Sequence, residues 1–283
     1  TASLLRNISA LSSLRAVPVR RRSEARFSIR ANNAGSSTSI SMTWSRVRPL
    51  AASISLTPDG QKMIVEKSKR QDSIRVSEIF LSIQGESNSV GVPTVFIRLT
   101  GCPLRCIYCD TEYAFKGGKS VPIKEILKQV NEFNVPHVTV TGGEPLAQHL
   151  CIDLLKALCD EKLIVSLETS GAFDLKDVDK RVIKVMDLKT PSSGEMKRNL
   201  FQNLKYLEKS DQVKFVIGDE ADYLWSREQI IKRNLSQFCQ VLFSPIANKL
   251  EPAILANWII RDRLPVRFQI QLHKVLWGDE PGK

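Results

Sequence analysis

Residues 98–111 read Arg98-Leu99-Thr100-Gly101-Cys102-Pro103-Leu104-Arg105-Cys106-Ile107-Tyr108-Cys109-Asp110-Thr111. Cys102, Cys106 and Cys109 form a C-x3-C-x2-C run, and Gly101 and Pro103 keep its backbone out of regular structure. Three thiolates this close in a loop can converge on one centre. A structural zinc site wants four protein ligands and favours paired C-x2-C spacings, and no fourth Cys or His lies nearby. An iron–sulfur cube is commonly held by four cysteines, so three would leave one iron free to take a small molecule. A zinc knuckle or a chance grouping of thiols is the bland alternative.

Outward from this loop the chain alternates. Residues 73–84 and 92–99 read as strands before it, the first entering Gln84-Gly85-Glu86. A helix near 122–133, a strand at 137–141, a helix at 148–161 and a strand at 163–168 follow it. Further strands are expected near 182–188, 212–217, 240–244 and 266–272, with helices near 220–233 and 252–262. Alternation of this kind implies βαβ units, a mainly parallel sheet and right-handed crossovers. About six strands beyond the cysteine loop are too few to close a barrel of eight. The expected fold is therefore α/β, an open, partial TIM-like (β/α) barrel; a doubly wound sheet is the alternative. The cysteine loop, Thr141-Gly142-Gly143-Glu144-Pro145, Glu168-Thr169-Ser170, Asp187-Leu188-Lys189 and Ser244-Pro245 all fall just after strands, on the rim where barrel enzymes put chemistry.

The net charge of +11 over 283 residues resembles a nucleic-acid signal, but its location argues otherwise. Residues 1–50 carry nine Arg, no Lys and one acid, Glu24, which gives +8 and leaves +3 for the other 233 residues. No stripe of basic and aromatic residues is visible beyond them, which disfavours nucleic acid as a partner. No apolar run is long enough to span a bilayer, so no membrane role is expected. The Arg-, Ser- and Ala-rich, acid-poor stretch 1–58 reads as an organellar transit peptide or a disordered leader. Its serines favour the plastid stroma and its arginines keep the mitochondrion open. The catalytic domain is expected over 72–283. Cys151, Cys159 and Cys239 read as buried packing residues.

The C-x3-C-x2-C spacing is the one shared by the radical S-adenosylmethionine (radical SAM) enzymes, and the Gly142-Gly143-Glu144-Pro145 edge agrees with it. Over most of residues 76–277 the chain resembles the 7-carboxy-7-deazaguanine synthase family. The matching pieces are Glu78-Ile79-Phe80 through Ile83-Gln84-Gly85-Glu86, Phe96 to Cys102, Cys109-Asp110-Thr111, Glu168-Thr169-Ser170-Gly171, Asp187-Leu188-Lys189, Pro191-Ser192-Ser193-Gly194, Val213-Lys214-Phe215-Val216-Ile217 and Gln271-Leu272-His273-Lys274. The resemblance implies a carbon–nitrogen lyase that contracts 6-carboxy-5,6,7,8-tetrahydropterin to 7-carboxy-7-deazaguanine with loss of ammonia. It also implies a [4Fe-4S] cluster, S-adenosylmethionine, Mg2+, an external flavodoxin- or ferredoxin-like electron donor and a homodimer.

The same resemblance distributes roles. Cys102, Cys106 and Cys109 would hold the cluster and Thr111 the Mg2+. Tyr108, Asp110, Gly143, Glu144, Ser170, Asp187 and Lys189 would bind S-adenosylmethionine, Tyr108 packing on adenine and Glu144 accepting from the methionine ammonium. Ile83, Gln84, Gly85, Glu86, Arg98, Thr141 and His273 would bind substrate. Arg98 is chemically suited to fork two hydrogen bonds onto a carboxylate, and Gln84 and Glu86 suit an amino-pyrimidinone edge. A radical SAM activase with another substrate, and a non-catalytic iron–sulfur or zinc scaffold, are the competing readings.

Overall fold

The computed structural model describes residues 73–278, 280 and 282–283, together with the backbone of 31–33 and 38–40. The chain divides into two units, Thr1–Arg70 and Gln71–Lys283. In the first, β1 (Ala31–Asn33) pairs antiparallel with β2 (Thr38–Ile40). The rest of the expected leader, 1–58, lies outside the described residues.

The second unit is built on one nine-stranded sheet. Its strands are β3 (Ser73–Ile83), β4 (Pro93–Leu99), β5 (Lys119–Pro122), β6 (His137–Gly142), β7 (Ile164–Thr169), β8 (Ile183–Asp187), β9 (Gln212–Ile217), β10 (Gln240–Pro245) and β11 (Arg267–Phe268). They run in the order β11-β10-β9-β8-β7-β6-β4-β3-β5. From β4 to β11 every neighbouring pair is parallel. β3 forms an antiparallel hairpin with β4, and β5 pairs antiparallel with the far side of β3. The edge strands β5 and β11 do not pair with each other, so the sheet is open, as a partial barrel should be.

Helices α1 (Ile123–Glu132), α2 (Cys151–Asp160), α3 (Glu220–Arg233), α4 (Leu235–Phe238) and α5 (Pro252–Asp262) accompany it, with a short α6 (Leu272–Trp277) at the end. Their limits follow local chemistry. The Asp219 carboxylate accepts from the Asp222 amide at the start of α3, and Asn234 ends that helix at φ 51. Pro252 opens α5 at a position that needs no amide donor.

The core lies between the helices and one face of the sheet. Strand alternation sends Val95, Ile97, Leu99, Val138, Val140, Val165, Leu167, Val213, Phe215 and Phe243 into it. There they share a cluster with Ile126 and Val130 of α1, Leu154, Leu155 and Leu158 of α2, Tyr223 of α3 and Leu255 of α5. Each such side chain contributes about 1.5–3 kcal/mol by leaving water. Cys151, Cys159 and Cys239 are buried in the same cluster, as expected of packing residues.

Four local expectations are corrected. β5 was not anticipated: its four residues, Lys-Ser-Val-Pro, are mostly exposed and too short to show a period. The strand expected at 266–272 shrinks to Arg267–Phe268, and α6 replaces its end, placing His273 on a helix. Alternation also fails twice. The β7–β8 crossover has no helix, and the β8–β9 crossover runs through short 3-10 turns at Pro191–Ser193, Met196–Arg198 and Phe201–Tyr206.

Candidate active site

The residues that alternate away from the core form the wall of a cavity of about 300 Å³ on the other face of the sheet. Phe96 and Arg98 come from β4, Thr141 from β6, Glu168 from β7, Val185 and Asp187 from β8, Lys214 and Val216 from β9, and Ser244 from β10. Arg98 is in register with Thr141, and Asp187 with Lys214. A row of polar and charged groups thus crosses the strands near their C-terminal ends, where a parallel sheet leaves room for a ligand.

The cysteine loop closes one side. Gly101, at φ +100, turns the chain out of β4, and its amide donates to the Ala114 carbonyl at 2.7 Å. Leu104 is buried, while Arg105 stacks over Phe115 at 4.3 Å and donates to the Cys102 and Leu104 carbonyls. The Ile107 amide donates to the Ser193 carbonyl, which fastens the loop to the Pro191–Ser193 turn. So held, Cys102, Cys106 and Cys109 all line the cavity, and all are free thiols. Burial pushes Cys106 up to about 11, with the charges of Asp187, Cys109 and Cys102 adding to it against Lys189. Burial also raises Cys102 and Cys109. Thiols so disposed keep their protons until a metal displaces them.

The glycine edge is a close-approach device. A β-carbon on Gly142 (φ +143) would run into the backbone of Leu99, and one on Gly143 would run into the Gly101 carbonyl and the Cys102 side chain. The Gly143 and Glu144 amides donate to the Leu99 and Gly101 carbonyls at 3.2 and 2.8 Å. The edge and the cysteine loop therefore form one backbone shelf. Glu144 itself, expected to face the cofactor, is fully buried behind the wall and does not line the cavity. Its carboxylate accepts from the Leu146 amide (3.0 Å), the Thr169 hydroxyl (2.8 Å), the Ser170 amide (2.7 Å) and the Ser170 hydroxyl (2.5 Å). It positions the end of β7 against the end of β6.

Of the other residues assigned to S-adenosylmethionine, Tyr108, Asp187 and Lys189 line the cavity near Cys106, and Ser170 lines it too. Lys189 lies 2.9 Å from Asp187. Burial, which alone would lower Lys189, is outweighed by the charge of Asp187 and its neighbours, so its pKa is raised. Burial and then Asp187 raise Tyr108. Neither the Tyr108 hydroxyl nor Asp187 Oδ1 has a hydrogen-bond partner of acceptable geometry among the described residues. Asp110 lines the same cavity, where it accepts from Thr111 (2.8 Å) and Gln271 (3.2 Å) and has Lys274 at 3.7 Å. Burial would raise its carboxyl, but these partners and Lys214 hold it below the usual range.

The residues assigned to substrate share this cavity. Ile83, Gln84, Glu86, Arg98, Thr141 and His273 line the cavity, as does Thr111. Gly85 does not; it lies beneath His273 and leaves room for it. Gln84 is buried and donates to Thr139 (3.1 Å) and Glu168 (3.4 Å). Arg98 gives its Nε to Glu78 at 2.6 Å. The Gln271 amide group bridges Glu86 (3.0 Å) and Asp110 (3.2 Å), which ties the C-terminal segment to both.

Sequence reading assigned no role to Glu168, Lys214 or Gln271. Glu168 accepts from Thr141 at 2.9 Å, and burial followed by the charge of Glu86 raises its pKa against Lys214, Thr141 and Arg98. Lys214 pairs with Glu86 at 2.6 Å. The available signal was a charged residue inside an apolar strand, as in Val213-Lys214-Phe215, since an unpaired charge is costly there.

No group of three His, Cys, Asp or Glu among the described residues is arranged around a single metal ion. A cube, whose corners stand wider apart, is the group three soft thiols on one wall suit. The glycine edge that lines the cavity beside them and the unpartnered Asp187 Oδ1 suit a polar small molecule there. The cysteines would hold the cluster, and the shelf, Tyr108, Asp187 and Lys189 would hold S-adenosylmethionine.

An open (β/α) sheet with a three-cysteine loop after one strand and a Gly-Gly-Glu-Pro edge after the next defines a radical SAM enzyme. The Radical SAM superfamily profile matches residues 96–188. The fold agrees with the crystal structure of QueE from Escherichia coli, with a TM-score of 0.60 at 22% identity, over 71% of this chain and 95% of that one. The chain is 46% identical over 210 residues to the 7-carboxy-7-deazaguanine synthase of Chlorobaculum tepidum, covering 73% of this chain and 96% of the relative. It is 39% identical over 222 residues to that of Koribacter versatilis, covering 73% and 98%. The chain belongs to the 7-carboxy-7-deazaguanine synthase family.

Proposed function

We propose that this protein converts 6-carboxy-5,6,7,8-tetrahydropterin to 7-carboxy-7-deazaguanine with release of ammonia. The observation that carries the reading is that one cavity collects the cysteine loop, Tyr108, Asp187 and Lys189 together with Gln84, Glu86, Arg98 and His273. Held by the cysteines, Tyr108, Asp187 and Lys189, a cluster-bound S-adenosylmethionine would supply the hydrogen-atom abstraction that starts the ring contraction.

The chain's own residues do the rest. Arg98 takes the substrate carboxylate on the two terminal nitrogens that Glu78 leaves open. Glu86, Gln84 and Glu168 meet the donor-rich pyrimidinone edge. Gln271, joined to Glu86 and Asp110, closes the cavity from the C-terminal side and helps keep water from reactive species.

The finer reading includes Mg2+ on Thr111, supported by a hydroxyl and the Asp110 carboxylate side by side at the cavity. Magnesium takes few protein oxygens and completes its shell with ligand and water. The family resemblance supports a flavodoxin- or ferredoxin-like donor and a homodimer. The Arg- and Ser-rich composition of residues 1–58 supports delivery to the plastid stroma, with the mitochondrion as the alternative.

The test is anaerobic reconstitution with iron and sulfide, then incubation with S-adenosylmethionine, Mg2+, dithionite and the carboxytetrahydropterin. Formation of 7-carboxy-7-deazaguanine is the expected result. Cleavage of S-adenosylmethionine with the pterin untouched would sink the substrate and keep the superfamily.

A further inference from the structure

Lys214 stands midway along β9 with its neighbours Val213 and Phe215 buried in the core and its own side chain in the cavity. Its ammonium lies 2.6 Å from Glu86 Oε2 and 3.8 Å from Asp187 Oδ2. Glu86, assigned to substrate, lies in the loop that joins β3 to β4. Asp187, assigned to the cofactor, ends β8 and carries Lys189 at 2.9 Å. All three side chains are nearly out of water, at 13%, 13% and 15% exposure, so their mutual attraction is little screened.

Buried ion pairs add little net stability compared with apolar packing, and their best-attested use is to specify geometry. Here the geometry specified is the spacing between a group assigned to substrate and one assigned to the cofactor. Transfer of a hydrogen atom between two bound molecules tolerates little error, and a misplacement of about 1 Å costs about a hundredfold in rate. We propose that Lys214 is a positioning residue that locks Glu86 to Asp187, thereby fixing the substrate against S-adenosylmethionine and coupling the binding of one to the binding of the other. The inference rests on the proposed function and adds to it the residue that joins its two subsites.

The test uses the full chain, reconstituted with its cluster, as wild type, Lys214→Met, Lys214→Arg and Lys184→Met. Lys184 also forms a buried pair, with Asp211 at 3.0 Å, but it does not line the cavity, so its variant reports loss of a buried charge alone. Calorimetric titration with 7-carboxy-7-deazaguanine, with and without S-adenosylmethionine, measures the coupling directly. In wild type and in Lys184→Met each ligand should tighten the other about fivefold or more. In Lys214→Met that factor should fall to about one. Turnover by the same variant should release several-fold more 5′-deoxyadenosine per product, and Lys214→Arg, which keeps the charge, should recover part of both effects.

Unchanged coupling and an unchanged 5′-deoxyadenosine-to-product ratio in Lys214→Met would overturn the proposal. Should Lys214→Met not fold, the same unchanged readings in Lys214→Gln, which is polar but carries no charge to pair with either carboxylate, would overturn it equally. A wild-type enzyme that neither binds the deazaguanine nor converts the pterin would instead remove the functional reading, and this proposal with it.

Discussion

Gly85 and His273 touch so closely that a β-carbon on Gly85 would overlap the imidazole. The Leu272 amide donates to the Gly85 carbonyl at 3.0 Å, so the loop after β3 and the start of α6 are held together at this point. Glycine is required by space, not by backbone angle. In Gly85→Ala, α6 must back away, at a cost typical of overpacking, about 1–3 kcal/mol. Since His273 and Gln271 move with the helix, the KM for the pterin should rise about tenfold while the melting temperature falls only a few degrees. An unchanged KM would show that α6 is not part of the site.

His273 gives a pH dependence of definite sign. Burial holds its pKa below the usual 6.5, helped by Lys274 and Arg98, against the pull of Glu86 and Asp110. A folded-state pKa below the unfolded one means that the unfolded chain binds the proton more readily. The contribution of His273 is therefore complete above about pH 6.5 and is lost as pH falls through the folded value. Melting curves of wild type and His273→Phe, taken from about pH 7.5 down to about pH 5, should show a steeper loss in wild type. Parallel curves would mean that the imidazole is free to charge in place.

The family resemblance points Glu144 at the cofactor, and its carboxylate also ties the ends of two strands together. Replacing it with Ala leaves four donors, from Leu146, Thr169 and Ser170, without their acceptor. The expected loss is roughly 3 kcal/mol or more, or a fall of roughly 10 °C in melting temperature. The measurement belongs on the cluster-free protein. A residue that only contacted cofactor would leave that melting temperature untouched.

What the sequence disclosed and what it hid differ by locality. The cysteines were legible because three of them lie within eight residues, and the rim motifs because each follows its own strand. Lys214 and Glu168 are obscure because their partners, Glu86 and Thr141, come from a distant loop and from another strand, and only the folded sheet brings them together. The end of the chain misled for a related reason. Arg267-Phe268-Gln269-Ile270-Gln271 alternates like a strand, but the sheet pairing stops at Phe268. Gln269 and Gln271 instead bond to Ser87 and Glu86, and α6 begins immediately after. A period of two reports alternating surroundings, and the site supplied those as well as a sheet would.

Arg98 tests whether a residue can be a structural ion pair and a substrate ligand at once. Its Nε donates to Glu78 at 2.6 Å, and Glu78 also accepts from the Tyr113 hydroxyl at 2.8 Å. The rings of Phe80 and Tyr113 flank the guanidinium at 5.9 and 5.7 Å. The two terminal nitrogens make no hydrogen bond to protein among the described residues, so the fork is aimed and its tips are open. Arg98→Lys keeps the charge but loses the fork and the aim. Binding of the 6-carboxylated pterin should weaken about tenfold or more, while a tetrahydropterin lacking the carboxylate should bind both proteins alike. Glu78→Gln, which loosens the aim and keeps the fork, should fall between wild type and Arg98→Lys. Equal weakening for both pterins would reduce Arg98 to a wall residue, because only a group that reads the carboxylate can tell the two ligands apart.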